Sequence, residues 1–198
     1  MLHLCSVNND KQYKLKLMTR LNAIDPNEAT GRSKELFEGI KSKLGMVPNM
    51  MRTMGNSSAV LEGYLNLSDS LSKSSLGSKT GELIALTVAE TNACNYCLSA
   101  HSFIGEKLAN IDPISLSQAR YGKNNDEKTE AALRFAKTLV EKTGKVDDYD
   151  VEAIKAAGYS DGAIGEIVAH VALNVLTNYL NNTANTEIDF PAVKAAVV

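Results

Sequence analysis

The sequence predicts an all-α protein, a compact helical bundle, and three observations carry that prediction. Apolar residues recur at three- and four-residue spacing from residue 30 onward, the mark of helices with one buried face. Glycines fall close to the ends of the periodic segments, where helices stop. No segment reads as a strand or a hairpin.

Taken in order, the periodicity predicts helices over 32–44, 57–74, 78–91, 93–109, 113–121, 126–143, 148–157 and 160–181. Gly45, Gly77, Gly122, Gly144 and Gly158 lie near their ends. Ser78, Asp112 with Pro113, Asp126 and Ser160 suit helix starts, because their side chains can accept the free N–H groups of a first turn. From Leu83 to Ala89 the run LIALTVA is apolar nearly all round, with Thr87 its one polar member. Such a helix belongs at the centre, with the more amphipathic 57–74 and 160–181 packed around it. After Asn185 the chain reads as an extended arm or short helix lying on a neighbour. Residues 1–17 are polar and patternless and read as a loose N-terminal extension. His3 and Cys5 fall there without a partner in sight. Residues 18–198 form the single helical domain with its C-terminal arm.

Composition then excludes several classes. At 198 residues and 44% hydrophobic, the chain fits one domain with a core of its own. Twenty-one basic residues against 23 acidic ones give a net charge of -2, which argues against a nucleic-acid partner. Three cysteines do not make a disulfide scaffold. The first residues lack an apolar signal core, and no run reads as a membrane span of about 20 residues. The expectation is a cytoplasmic protein with no membrane partner, its thiols free. Gly-rich phosphate loops, Gly-x-Ser-x-Gly elbows and paired-carboxylate motifs are missing.

Cys94, Cys97 and His101 form Cys-x-x-Cys-x-x-x-His. On a helix all three fall within an arc of about 60°. Cys97 and His101 are four apart, so the imidazole can reach the thiol, and the cysteines are one turn apart. Asn92 is a candidate N-cap, which would put Cys94 in a first turn whose N–H groups favour a thiolate. Position alone therefore makes Cys94 the better nucleophile. Glu82 could return to the dithiol if two antiparallel helices met near residue 92. A carboxylate in an apolar wall suits proton transfer near neutral pH; equally, Glu82 could be a first-turn acid complementing a helix dipole. Zinc bound by the cluster with Glu82 or His170 is a competing reading, but structural zinc normally has two ligand knuckles and only one exists here. Inert buried cysteines are another. Local chemistry favours a redox dithiol and no metal. Glu166, His170, Asn174 and Asn178 recur every four residues, a stripe read first as a solvated face, with His170 an accessory candidate for the site.

The segment GELIALTVAETNACNYCLSAH resembles the alkylhydroperoxidase D-like family of the carboxymuconolactone decarboxylase superfamily. Glu82, Cys94, Cys97 and His101 fall on that family's Glu, Cys-x-x-Cys and His positions. A weaker likeness covers roughly residues 18–190, and LGMVPNMMRTM and NYLNNTANTEIDFP resemble its peroxidase-related subgroup. The resemblance implies an all-α fold in a homo-oligomer (dimer, trimer or hexamer). It also implies reduction of small or organic hydroperoxides without a bound cofactor. Cys97 would attack as a thiolate and become a sulfenic acid, and Cys94 would resolve it to a disulfide. Glu82 and His101 would relay protons, and an external dithiol, thioredoxin-like or lipoyl-linked, would reset the pair. The best-known members carry a second His between the cysteines, where this chain has Tyr96, an accessory candidate. A neutral phenol does not replace an imidazole base near pH 7, so the relay would be shorter. The decarboxylase branch lacks the dithiol, so that activity is not expected.

Three functions remain to be separated. A thiol peroxidase for antioxidant defence leads. A dithiol-exchange or redox-sensing protein without productive peroxide turnover is the alternative. A zinc-stabilised interaction protein is the third.

Overall fold

The computed structural model describes residues 19–196, and within them the chain is all-α. The N-terminal extension predicted over 1–17, with His3 and Cys5, lies outside the described residues. Among the described residues nine helices follow one another: α1 Gly31–Leu44, α2 Asn49–Met54, α3 Ser58–Leu71, α4 Gly77–Thr91, α5 Asn95–Lys107, α6 Pro113–Ala119, α7 Glu127–Glu141, α8 Asp148–Ala156 and α9 Asp161–Ala184.

The apolar run sets the centre. Every residue from Leu83 to Ala89 is buried, and α4 packs against α5, α6, α7 and α9. Leu86, Val88 and Ile84 expose no surface, and each such side chain contributes roughly 1.5–3 kcal/mol by leaving water. Thr87 is tolerated there because its hydroxyl donates to Leu83 O at 3.1 Å and Ala119 O at 2.6 Å. Asp112, Asp126 and Ser160 cap α6, α7 and α9 through their side chains, as the sequence predicts. Ser78 instead lies inside α4, which opens at Gly77, whose φ of 74° suits the sharp entry.

Two elements depart from the sequence reading. The short α2 follows Pro48 and is too brief to show a period; it buries Met50, Thr53 and Met54. The long α9 runs three residues past the predicted end. It is long and apolar enough, by length and composition, to cross a membrane, yet it packs against α2, α3, α4, α5 and α7 and buries five polar side chains against them.

Beyond α9 the chain is extended and lies on its own domain. Val193 N–H donates to Ser99 Oγ (2.9 Å), Ala195 N–H to Asn95 Oδ1 (2.9 Å) and Ala196 N–H to Glu90 Oε1 (2.7 Å). Phe190 meets Tyr96 edge to face at 5.9 Å. Ser99 and Asn95 lie on the side of α5 turned away from the cysteine stripe, so this strap braces the helix from behind.

Candidate active site

The dithiol sits at the reversal between α4 and α5. Asn92 ends α4, Ala93 takes a left-handed φ of 49°, and Cys94 N–H closes back on Ala89 O at 2.9 Å. A non-glycine residue there is strained, by roughly 1–2 kcal/mol. In return, only two residues separate α4 from the cap of α5, which brings the two helices antiparallel. The N-cap assignment made from sequence is corrected here. Cys94 itself is the N-cap of α5, and Asn92 is the last cap of α4. Cys94 Sγ accepts from Cys97 N–H at 3.3 Å, the bond a capping Ser or Asp would make. Cys97 is thus the cysteine inside the first turn.

Both thiols are buried, Cys94 at 0% and Cys97 at 2% exposure, and their sulfurs are 2.7 Å apart with Cys94 donating to Cys97. The surroundings divide them. Burial alone would raise the Cys97 pKa, but the Cys94 S–H bond, the His101 charge and the amides of Asn181 and Asn178 outweigh it and bring Cys97 to about 7. Cys94 is pushed up, first by the bond it donates to Cys97 and then by burial. One proton leaves the pair near neutrality, and the charge rests on Cys97.

Glu82 and His101 meet across α4 and α5, with Nδ1 2.7 Å from Oε2. Both side chains are partly open to solvent. Burial would lower the His101 pKa; the Glu82 charge and hydrogen bond, together with the Cys97 charge, outweigh it and raise it. The imidazolium so favoured faces the thiolate it stabilises. Of the two readings of Glu82, the one that returns it to the dithiol is the one the geometry supports.

Tyr96 turns elsewhere. Its hydroxyl accepts from Met50 N–H at 3.1 Å, and its ring meets Phe190, so it ties α5 to α2 and the strap. Burial raises its pKa well above the ordinary phenol value. His170 lies one step behind Glu82. Its ring packs on Gly81, where a Cβ would come within 3.0 Å of Cε1, and its Nε2 is 3.4 Å from Ser74 Oγ. Burial lowers its pKa although the charges of Glu166 and Glu82 oppose that.

The solvated-face reading of the α9 stripe is overturned. His170, Asn174 and Asn178 are buried, and Glu166 accepts from the backbone N–H and the hydroxyl of Ser75. The reason is packing: α9 lies against α3, α4 and α5, so its polar stripe points at the site rather than at water. Sequence reasoning missed Asn181 and Tyr64 and placed Asn178 on a solvated face. Asn181 donates Nδ2–H to Cys97 Sγ at 3.3 Å. Asn178 accepts from Asn92 Nδ2 at 3.0 Å and so grips the turn that carries Cys94. Tyr64 on α3 feels both Glu82 and Cys97; burial and then those two charges push its pKa up to about 12. Asn181 was legible as a continuation of the stripe, since it follows Asn174 and Asn178 at helical spacing. Among the described residues no group of three or more His, Cys, Asp or Glu gathers as a metal site would.

Residues 58–107 match the carboxymuconolactone decarboxylase family model, a span holding Glu82, Cys94, Cys97 and His101. No curated protein matches the sequence. Among solved structures, a peroxidase-related protein from Silicibacter sp. TM1040 is 24% identical with a TM-score of 0.75, covering 89% of this chain and 94% of that one. An alkylhydroperoxidase D core, a peroxidase-related protein from Ralstonia eutropha JMP134, is 23% identical with a TM-score of 0.77, covering 86% and 92%. The debrominase Bmp8 is 21% identical with a TM-score of 0.73, covering 87% and 94%. The segment that carries the dithiol thus matches the carboxymuconolactone decarboxylase family model, and the chain shares the all-α fold of these alkylhydroperoxidase-like structures.

Proposed function

We propose that this protein is a cytoplasmic thiol peroxidase that reduces small or organic hydroperoxides through its Cys94–Cys97 dithiol. The observation that carries the reading is the arrangement around Cys97. Its sulfur takes a bond from Cys94 and another from Asn181 and faces the His101–Glu82 pair. The Cys97 thiolate attacks the O–O bond, one oxygen passes to sulfur, and the leaving alkoxide or hydroxide takes a proton from His101. The product is a Cys97 sulfenic acid plus an alcohol or water. Cys94 then attacks that sulfur, a disulfide forms, and the sulfenic oxygen leaves as water. Glu82 holds the imidazole in place and stabilises its charge. An external dithiol, thioredoxin-like or lipoyl-linked, returns the pair to two thiols as it becomes a disulfide.

The debrominase among the structural relatives supports a second reading within the same chemistry. A labile carbon–bromine bond, like an O–O bond, can accept two electrons from a dithiol: bromide leaves, the carbon takes a proton to become C–H, and the two thiols become a disulfide. Dithiol exchange without peroxide turnover is the remaining alternative. The deciding experiment assays hydrogen peroxide, cumene hydroperoxide and a bromopyrrole against thioredoxin, dihydrolipoamide and glutathione. Peroxide consumption that yields one Cys94–Cys97 disulfide and disappears in Cys97→Ser is the expected result. Undiminished turnover by Cys97→Ser sinks the proposal; debromination alone moves the function to the second reading.

A further inference from the structure

α9 presents two buried carboxamides beside Cys97, and each has one end engaged and one end free. Asn178 and Asn181 expose 0% and 2% of their surface. Asn178 Oδ1 accepts from Asn92, and its Nδ2 lies near enough to favour the Cys97 charge yet completes no hydrogen bond. Asn181 Nδ2 donates to Cys97 Sγ, and its Oδ1 has no partner. An unpartnered amide end at this depth costs roughly 1–3 kcal/mol. Two of them on one helix face, on amides that both neighbour Cys97, mark a place built for a polar guest.

We propose that Asn178 and Asn181 form the subsite for the oxygen that passes from a hydroperoxide to Cys97. Asn181 is the catalytic donor that holds the thiolate, and the free Nδ2–H of Asn178 takes the oxygen as it reaches sulfur. The inference rests on the peroxidase reading and adds the residues that receive the –O–OH group. A hydroperoxide offers both an O–H donor and oxygen acceptors, which match one free carbonyl and one free N–H. The step balances: Cys97–S⁻ and ROOH give Cys97–SOH and RO⁻, which takes its proton from His101. Asn178 is held for this by Asn92, whose own carbonyl accepts from Asn182 Nδ2 at 2.9 Å. The other titratable groups that feel Cys97 are Cys94, Tyr96 and His101 beside it in sequence and Tyr64 on α3, with Glu82 on α4 behind His101.

The test separates this proposal from the peroxidase reading by using two reactions. In the first, no peroxide is present. Peptide-resolved alkylation of Cys97 by iodoacetamide is followed against pH in a Cys94→Ser background, with mass spectrometry distinguishing it from Cys5. Asn181→Leu is expected to move the midpoint up by about one unit, roughly a tenfold loss of thiolate below it. The isosteric Asn181→Asp is expected to move it further, a difference that a packing role would not produce. In the second, the same background is mixed with hydrogen peroxide, and each rate is divided by the thiolate fraction that the variant's own alkylation midpoint gives. Asn178→Leu is expected to oxidise at least about tenfold more slowly, as loss of a donor to a developing oxyanion predicts. Asn178→Asp serves as the same-sized variant should Leu fail to fold. Unchanged alkylation midpoints in both Asn181 variants, or unchanged oxidation in the Asn178 variants, overturn the subsite. A Cys97 that shows the midpoint shifts yet reacts with peroxide no faster than a free thiol overturns the peroxidase reading instead.

Discussion

His101 Nδ1 lies 2.7 Å from Glu82 Oε2, a bond between side chains nineteen positions apart that joins α4 to α5 across their turn. The contact fixes which ring nitrogen faces the carboxylate and leaves Nε2 free for the proton transfer we propose. Removing the charge but keeping the shape, as in Glu82→Gln, takes away what holds the His101 pKa up against burial. His101 then loses its proton at lower pH, and Cys97 loses part of the positive charge that favours its thiolate. The expected outcome is a fall in kcat/KM on the order of tenfold to a hundredfold. Steady-state kinetics with unchanged far-UV circular dichroism checks it.

The pH dependence follows from Cys97 and His101 together. Cys97 at about 7 is below the ordinary thiol, so activity rises as pH climbs through that region. His101 is held above its ordinary value, so its acid form persists past the rise and is lost at higher pH. A bell results, and its two limbs belong to the coupled pair rather than to either residue alone. Measuring kcat/KM from pH 5 to 10 tests it, and a profile still climbing at the ordinary thiol pKa of about 8.5 would contradict the assignment of charge to Cys97.

Tyr96 is expected to matter for stability more than for chemistry. Tyr96→Phe leaves the buried Met50 N–H without its acceptor, at a cost of about 1–3 kcal/mol. Because the hydroxyl serves α2, peroxide kinetics should stay within about threefold of the parent. Denaturant melts and assays on one preparation check both halves.

How much of this was legible in the sequence depends on the residue. The LIALTVA run announced α4 because a helix apolar on every face has only one place to go. Cys94, Cys97 and His101 were visible because helical spacing fixes which side chains share a stripe. The cap was not: Asn is an ordinary capping residue, and only the left-handed Ala93 moves that role to Cys94. That shift exchanged the preferred nucleophile, since the first turn now holds Cys97. The α9 stripe was misjudged because helical period says which residues share a face, never which neighbour covers it. Tyr64 gave no local signal, as it reaches the site from α3 through tertiary packing alone.

Arg120 and Glu90 anchor the strap that backs α5. Arg120 Nε meets Glu90 Oε2 at 2.7 Å, its NH2 donates to Lys194 O at 2.8 Å, and the other Glu90 oxygen accepts from Ala196 N–H. Both side chains are mostly buried, so removing one partner leaves a charge short of solvent and short of its ion. Arg120→Ala is expected to cost about 2 kcal/mol, roughly 4–8 °C in Tm for a domain of this size. It should also free the strap before it frees the helices. Hydrogen exchange at Val193, Ala195 and Ala196 should then speed up while the amides of α4 keep their protection. Exchange rising equally in both places would mean that the pair holds the whole bundle and the strap has no separate hold on α5.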